Sequence, residues 1–62
     1  MTYTISKNFN GTYSIHLGAD LFYSWIDEAP TYEKAIELAR TYAGENGTVL
    51  YKEDLFKPVI EI

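Results

Sequence analysis

The stretch Thr31–Gly47, TYEKAIELARTYAGENG, decides the architecture, because its apolar residues recur at helical spacing. Tyr32, Ala35, Ile36, Ala39, Tyr42 and Ala43 follow the i, i+3, i+4, i+7 rule of one helix face. Thr31 stands where an N-cap is needed, with a hydroxyl oxygen able to accept from a free amide of the first turn. Gly44 or Gly47 supplies the left-handed stop, with Glu45 and Asn46 in the exposed turn between them. Alanines at every fourth position keep the inner face of this helix thin, so the axis can approach a sheet closely. The helix is therefore expected to be a lid over strands.

Those strands are read on both sides of it. Thr2 to Lys7 alternates, with Tyr3 and Ile5 on one face and Thr2, Thr4 and Ser6 on the other. Asn10-Gly11 supplies the positive φ angles of a tight hairpin turn, and Thr12 to Leu17 alternates again, with Tyr13, Ile15 and Leu17 apolar and Thr12, Ser14 and His16 polar. Gly18-Ala19-Asp20 turns the chain. Leu21 to Ile26 reads as a third strand with apolar mass on both sides: Leu21, Tyr23 and Trp25 on one, Phe22 and Ile26 flanking Ser24 on the other. Two accounts of it stay open, an interior strand covered by a loop or the C-terminal segment, and an exposed apolar patch serving as an interface. Asp27-Glu28-Ala29-Pro30 reads as a loop, its two acids placed where the helix macrodipole favours negative charge. After the helix, Thr48 to Lys52 forms a fourth strand and Val59 to Ile62 a fifth, joined across Glu53 to Pro58. Pro58 cannot donate to a ladder, which places that last segment at a sheet edge. The expected fold is a single α+β domain over residues 1–62: a mostly antiparallel sheet of four to five strands (β-β-β-α-β-β) with one helix packed on one face.

Composition excludes several chemistries. A chain of 62 residues buries only roughly 60% of the surface it exposes when unfolded, so the core is marginal and leaves little room for an enclosed pocket. With no cysteine, disulfides and thiolate zinc sites are absent, and a reducing compartment, the cytoplasm, is the expected location. Hydrophobic content of 47%, including six Tyr, is too high for a disordered chain. Apolar runs are too short for a membrane span or a signal-peptide core. Nine acids against five bases give a net charge of −4, the wrong sign for gripping phosphates and the right one for a basic partner.

Candidate chemistry is sparse. With a single His, a two-histidine metal site within the chain is impossible, and Ser14 with His16 on one side of the second strand is the only local pairing of nucleophile and base. A triad needs an orienting carboxylate and oxyanion donors in a cleft, which a domain of this size seldom builds, so Ser14 and His16 are read as the wet face of the hairpin. The acid pairs Asp27-Glu28 and Glu53-Asp54 match no cation-binding loop and are read as solvated turns, and Gly44 and Gly47 follow a helix where a phosphate cradle must precede one. No catalytic residue, metal or cofactor is expected. Tyr3, Tyr13, Tyr23 and Trp25 are read as core under the helix, since the basic neighbours of a base-stacking sheet are missing.

Three strands followed by TYEKAIELARTYA resemble the β-β-β-α DNA-binding domains of ethylene-response transcription factors and the arm-type N-terminal domains of tyrosine recombinases, over about Thr12 to Ala43. That resemblance implies nucleic-acid binding by the sheet. In those families the outer sheet face carries Arg, Lys and Trp, whereas here it offers Thr12, Ser14, His16, Phe22, Ser24 and Ile26. The segments YTISKNFNGTYSI, TYEKAIELARTYA and GTVLYKEDLFKPVIEI resemble, over nearly the whole chain, a small family of bacterial and phage proteins with a hairpin, a third strand, an alanine-rich helix and a closing hairpin. No activity travels with it.

The expected function is a non-enzymatic protein-binding module, an accessory factor or inhibitor of a host protein, with mimicry of nucleic acid by its carboxylates as one form. Nucleic-acid binding by the sheet is the alternative. The expected contact residues are Phe22, Ile26 and Leu50 on the second sheet face and Phe56 in the closing loop, rimmed by Asp27, Glu28, Glu53 and Asp54. The partner is a protein with a basic or apolar surface, and a second copy of the chain could occupy the same patch.

Overall fold

A computed structural model describes residues 1–19, 24–53 and 56–62. Along the chain run β1 (Thr2–Lys7), β2 (Tyr13–Leu17), β3 (Trp25–Ala29), α1 (Tyr32–Ala43), β4 (Thr48–Lys52) and β5 (Ile60–Glu61). They form one five-stranded sheet in the order β3-β2-β1-β4-β5, antiparallel except where β1 and β4 run side by side in parallel. The α+β class and its single covering helix are as the sequence implies. Among the described residues no helix is long and apolar enough to cross a membrane.

The parallel pair follows from the helix. β3 leaves one edge, and α1 carries the chain back over the sheet to the open side of β1, so β4 enters in the direction of β1. Thr31 caps the helix as expected, in extended backbone with its hydroxyl accepting from the Lys34 amide, and Gly44 closes it at φ 77° with its N–H donated to the Arg40 carbonyl. The inner face settles on β1, β2, β3 and β4, with Ala35 and Ala39 fully buried. The core is Tyr3, Ile5, Ile15, Ala29, Ala35, Ala39 and Val49, and Tyr3 stacks on Tyr42 of the helix with ring centres 5.9 Å apart. At the other end Tyr32 meets Tyr51 edge-on at 5.0 Å and Tyr13 at 5.8 Å.

Two local expectations are corrected. The β1–β2 connection is not a two-residue turn with two positive φ angles. The Gly11 amide donates to the Asn8 carbonyl at 3.2 Å, the Asn8 amide to the Thr12 carbonyl at 2.8 Å, and only Gly11 is left-handed, at φ 89°. That is a three-residue loop in which glycine takes the bulge position. The third strand is described from Trp25 to Ala29, past the expected end at Ile26, so Asp27, Glu28 and Ala29 are ladder residues and not a loop. As an edge strand β3 tolerates acids that a central strand would not. The parts of the expected strand and turn at Asp20, Leu21, Phe22 and Tyr23 lie outside the described residues.

Candidate functional site

Residues paired across neighbouring strands share a face, so the register maps the side of the sheet away from the helix. One row reads Glu28, Ser14, Ser6 and Lys52 from β3 to β4, and the next Trp25, His16, Thr4, Leu50 and Glu61 from β3 to β5. Thr4 is fully buried between half-buried His16 and Leu50, and its hydroxyl donates to the Gly18 carbonyl at 2.6 Å. His16 Nε2 lies 3.3 Å from the Ser6 hydroxyl, while Ser14 donates to Asn8 Oδ1 at 3.0 Å. The serine beside the imidazole is thus the diagonal neighbour on β1, because Ser14 is drawn away to the hairpin loop.

The expectation of apolar mass on both sides of strand three changes accordingly. A shift of register between Ile15 and His16 leaves Ile26 without a cross-strand partner, and its side chain packs against the core cluster. The same shift turns Trp25 to the outer face, where it is 57% exposed; it is not core under the helix. Among the described strand residues of the outer face, Trp25 and Leu50 are the apolar ones.

The residues singled out as contacts fall into separate places. Leu50 lies on the outer face of β4, and Phe56, 96% exposed, lies in the β4–β5 connection with Glu53 at its start. Ile26, Asp27 and Glu28 are on β3, three strand spacings or about 14 Å from β4, so their acids do not rim the Leu50 and Phe56 region. Phe22 and Asp54 lie outside the described residues. Two residues that sequence reasoning missed are Val59 and Ile60, 38% and 53% exposed on the C-terminal segment next to Phe56. A fifth strand over Val59 to Ile62 was legible, but not that the helix stops short of β5.

The acids are engaged in different ways. Asp27 faces the helix: Oδ1 accepts from the Glu28 amide at 2.7 Å and Oδ2 from the Tyr42 hydroxyl at 2.9 Å. That hydrogen bond to a carboxylate is the main reason the Tyr42 phenol is held above the usual tyrosine range, with desolvation and the Asp27 charge adding to it. Burial raises the Tyr51 phenol, and the Glu53 charge adds to it. Glu53 is bridged to Lys57 across the connection, and Lys52 donates to the Lys57 carbonyl at 2.8 Å, which ties the base of the loop to β4. Among the described residues no group of three or more His, Asp or Glu side chains is placed to hold a metal ion. A groove of about 580 Å³ runs beside the last turn of α1, lined by Arg40, Gly44, Glu45, Val49, Ile62 and their neighbours.

No protein-family model matches this chain, and no curated protein or solved structure does. The functional reading therefore rests on its surface alone.

Proposed function

We propose that this chain is a small, acidic, non-enzymatic protein-binding module that docks through its β4–β5 end, as an accessory factor or inhibitor acting in the cytoplasm on a partner with a basic or apolar surface. The observation that carries the reading is the exposure of Phe56, Val59 and Ile60, at 96%, 38% and 53%. Three of the seven core residues are alanines, so large apolar side chains are scarce inside. Burying one fully is worth about 1.5–3 kcal/mol, and a marginal domain that leaves three outside within five residues of chain has them where a partner can reach them. Ile60 shares the helix-side row of Tyr51 while Leu50 is on the outer face, so a partner gripping the β5 edge from both sides would reach both, with Glu53 at the loop base, and the net charge of −4 favours a basic rim on it.

The test is capture from a lysate with tagged protein and its Phe56→Ser variant. Loss of the captured partner with unchanged far-UV circular dichroism supports the reading; capture that survives the substitution with the fold intact overturns it. A second reading, single-stranded nucleic acid on the outer sheet face, is favoured by Trp25 exposed beside His16. Titration of single-stranded DNA and RNA at low salt, followed by Trp25 fluorescence, decides between them, since no change there removes the stacking surface from consideration.

A further inference from the structure

We propose that Asn10 is a chemical modification site, at which the folded hairpin promotes conversion of the side-chain amide to aspartate or isoaspartate. Asn10 is exposed in the β1–β2 loop and its Oδ1 accepts two hydrogen bonds from Thr12, from Oγ1 at 2.7 Å and from the backbone amide at 3.1 Å. The hydroxyl bond is the end of a directed chain. Ser14 Oγ donates to Asn8 Oδ1 at 3.0 Å, Asn8 Nδ2 donates to Thr12 Oγ1 at 2.9 Å, and Thr12 Oγ1 donates to Asn10 Oδ1. Bonds aligned in one direction polarise one another, so Oδ1 sits at the hydrogen-bond-accepting end of a short relay.

That arrangement is an oxyanion site for one reaction. The following residue is Gly11, left-handed at φ 89° and with no neighbour that a side chain would meet. Its amide is donated to the Asn8 carbonyl at 3.2 Å, as that of Gly47 is to the Gly44 carbonyl at 3.3 Å, so opening this bond is a step common to both sites and the Thr12 donors are what distinguish the first. Once that nitrogen loses its proton to base, it attacks Cγ of Asn10 and a C–N bond closes a five-membered ring. The electron pair of the C=O moves onto Oδ1, where the two Thr12 donors stabilise it. Collapse expels Nδ2 as ammonia, which takes its proton from water. Water then opens the cyclic imide at either carbonyl, giving aspartate or its β-linked isomer, and no oxidant or cofactor is involved. The product adds one carboxylate to a chain of net charge −4, and the isomer lengthens the backbone inside a three-residue loop.

The chain contains its own control. Asn46-Gly47-Thr48 repeats the triplet Asn10-Gly11-Thr12, so the two sites share the two residues that follow the asparagine, though Phe9 precedes one and Glu45 the other, and they differ in the fold around them. At the second site Gly47 is wedged against the backbone of Ala43, and Thr48 is a strand residue whose amide is donated to the Met1 carbonyl. The experiment is incubation of the intact protein in mildly alkaline buffer at physiological temperature, with peptide mapping by mass spectrometry and enzymatic detection of isoaspartate at both sites. In the folded protein Asn10 is expected to convert about tenfold faster than Asn46, and in concentrated denaturant the two rates should converge; the factor is far below that of an enzyme's oxyanion donor because the loop stays in water. Thr12→Val removes the hydroxyl donor and is expected to cut the Asn10 rate several-fold while Asn46 is unchanged. Asn8→Ala breaks the relay one step earlier and gives a smaller loss in the same direction. Equal native rates at the two sites, a faster Asn46, or a Thr12→Val variant that is folded and still converts Asn10 at the parental rate overturns the proposal. Should Thr12→Val unfold, the Asn46 rate rises with it, and Asn8→Ala then decides: a slowed Asn10 supports the relay and a parental rate overturns it.

Discussion

Replacing Ile5 by alanine tests the claim that the middle of β1 is where this small domain is held together. Ile5 is fully buried, with Ile15 and Tyr51 beside it in the same cross-strand row. Removing its outer carbons forfeits roughly 2.4 kcal/mol of transfer free energy. Residual cavity carries the cost into the range of about 2–5 kcal/mol, because a flat sheet under a helix cannot collapse into the gap. A domain of this size has a total stability of about 3–9 kcal/mol, so the variant loses about a fifth of it or more. The control is Ile60→Ala: Ile60 is 53% exposed on a strand the helix does not reach, so its loss is about 1 kcal/mol or less. Urea titration followed by far-UV circular dichroism is the assay. With m near about 1 kcal/mol/M, the two midpoints should differ by about 2 M. Equal midpoints would refute the reasoning, since they would mean that the two strands contribute alike.

Three further outcomes follow from particular contacts. Tyr42 and Tyr51 both have phenols raised above the ordinary tyrosine value of 10.0, so their contribution is fully present below that pH and is lost as pH climbs through their folded values; urea midpoints should hold steady from neutral to mildly alkaline pH and fall above about pH 10, less steeply in Tyr42→Phe. Gly47→Ala places a Cβ against the backbone oxygen of Ala43, which cannot give way as a side chain would, and is expected to cost about 1–3 kcal/mol by thermal melt. Trp25→Ser should change stability by no more than about 0.5 kcal/mol, and acrylamide should quench native Trp25 nearly as well as the unfolded chain, since a ring sealed in the core would resist both.

Much of the fold was legible where its causes are local. Helix α1 is announced by its own spacing, its Thr31 cap and its Gly44 stop, all within a few residues of one another. The β1–β2 hairpin is announced by alternation on both sides of Asn10-Gly11. Strand β3 was displaced because one extra residue, Ile26, breaks the two-residue period, and because acids at Asp27 and Glu28 look like turn chemistry until the strand is known to be an edge. The parallel pairing of β1 with β4 leaves no local mark at all, as it is set by the path of the helix. For the candidate contact surface, Phe56 and Leu50 were visible as apolar residues in suspect places. The exposure of Val59 and Ile60 was not, because it depends on the width of the sheet: five strands span about 19 Å between outer axes, and a helix about 10 Å across cannot roof them all.

The place of β1 bears on how the chain must be made. Strand β1 precedes the other four in chain order and is the middle one of the finished sheet, yet one of its two flanking ladders is supplied by β4, which follows it by some forty residues. Until Thr48 to Lys52 arrive, the meander of β1, β2 and β3 holds the strand that is most buried in the finished fold at an open rim, with unpaired amides and carbonyls ready to recruit a neighbouring molecule. A fragment ending before Thr48 is thus more than a weakened version of the protein: it is an aggregation template, and the quality of a preparation will depend on how completely each polypeptide has been translated.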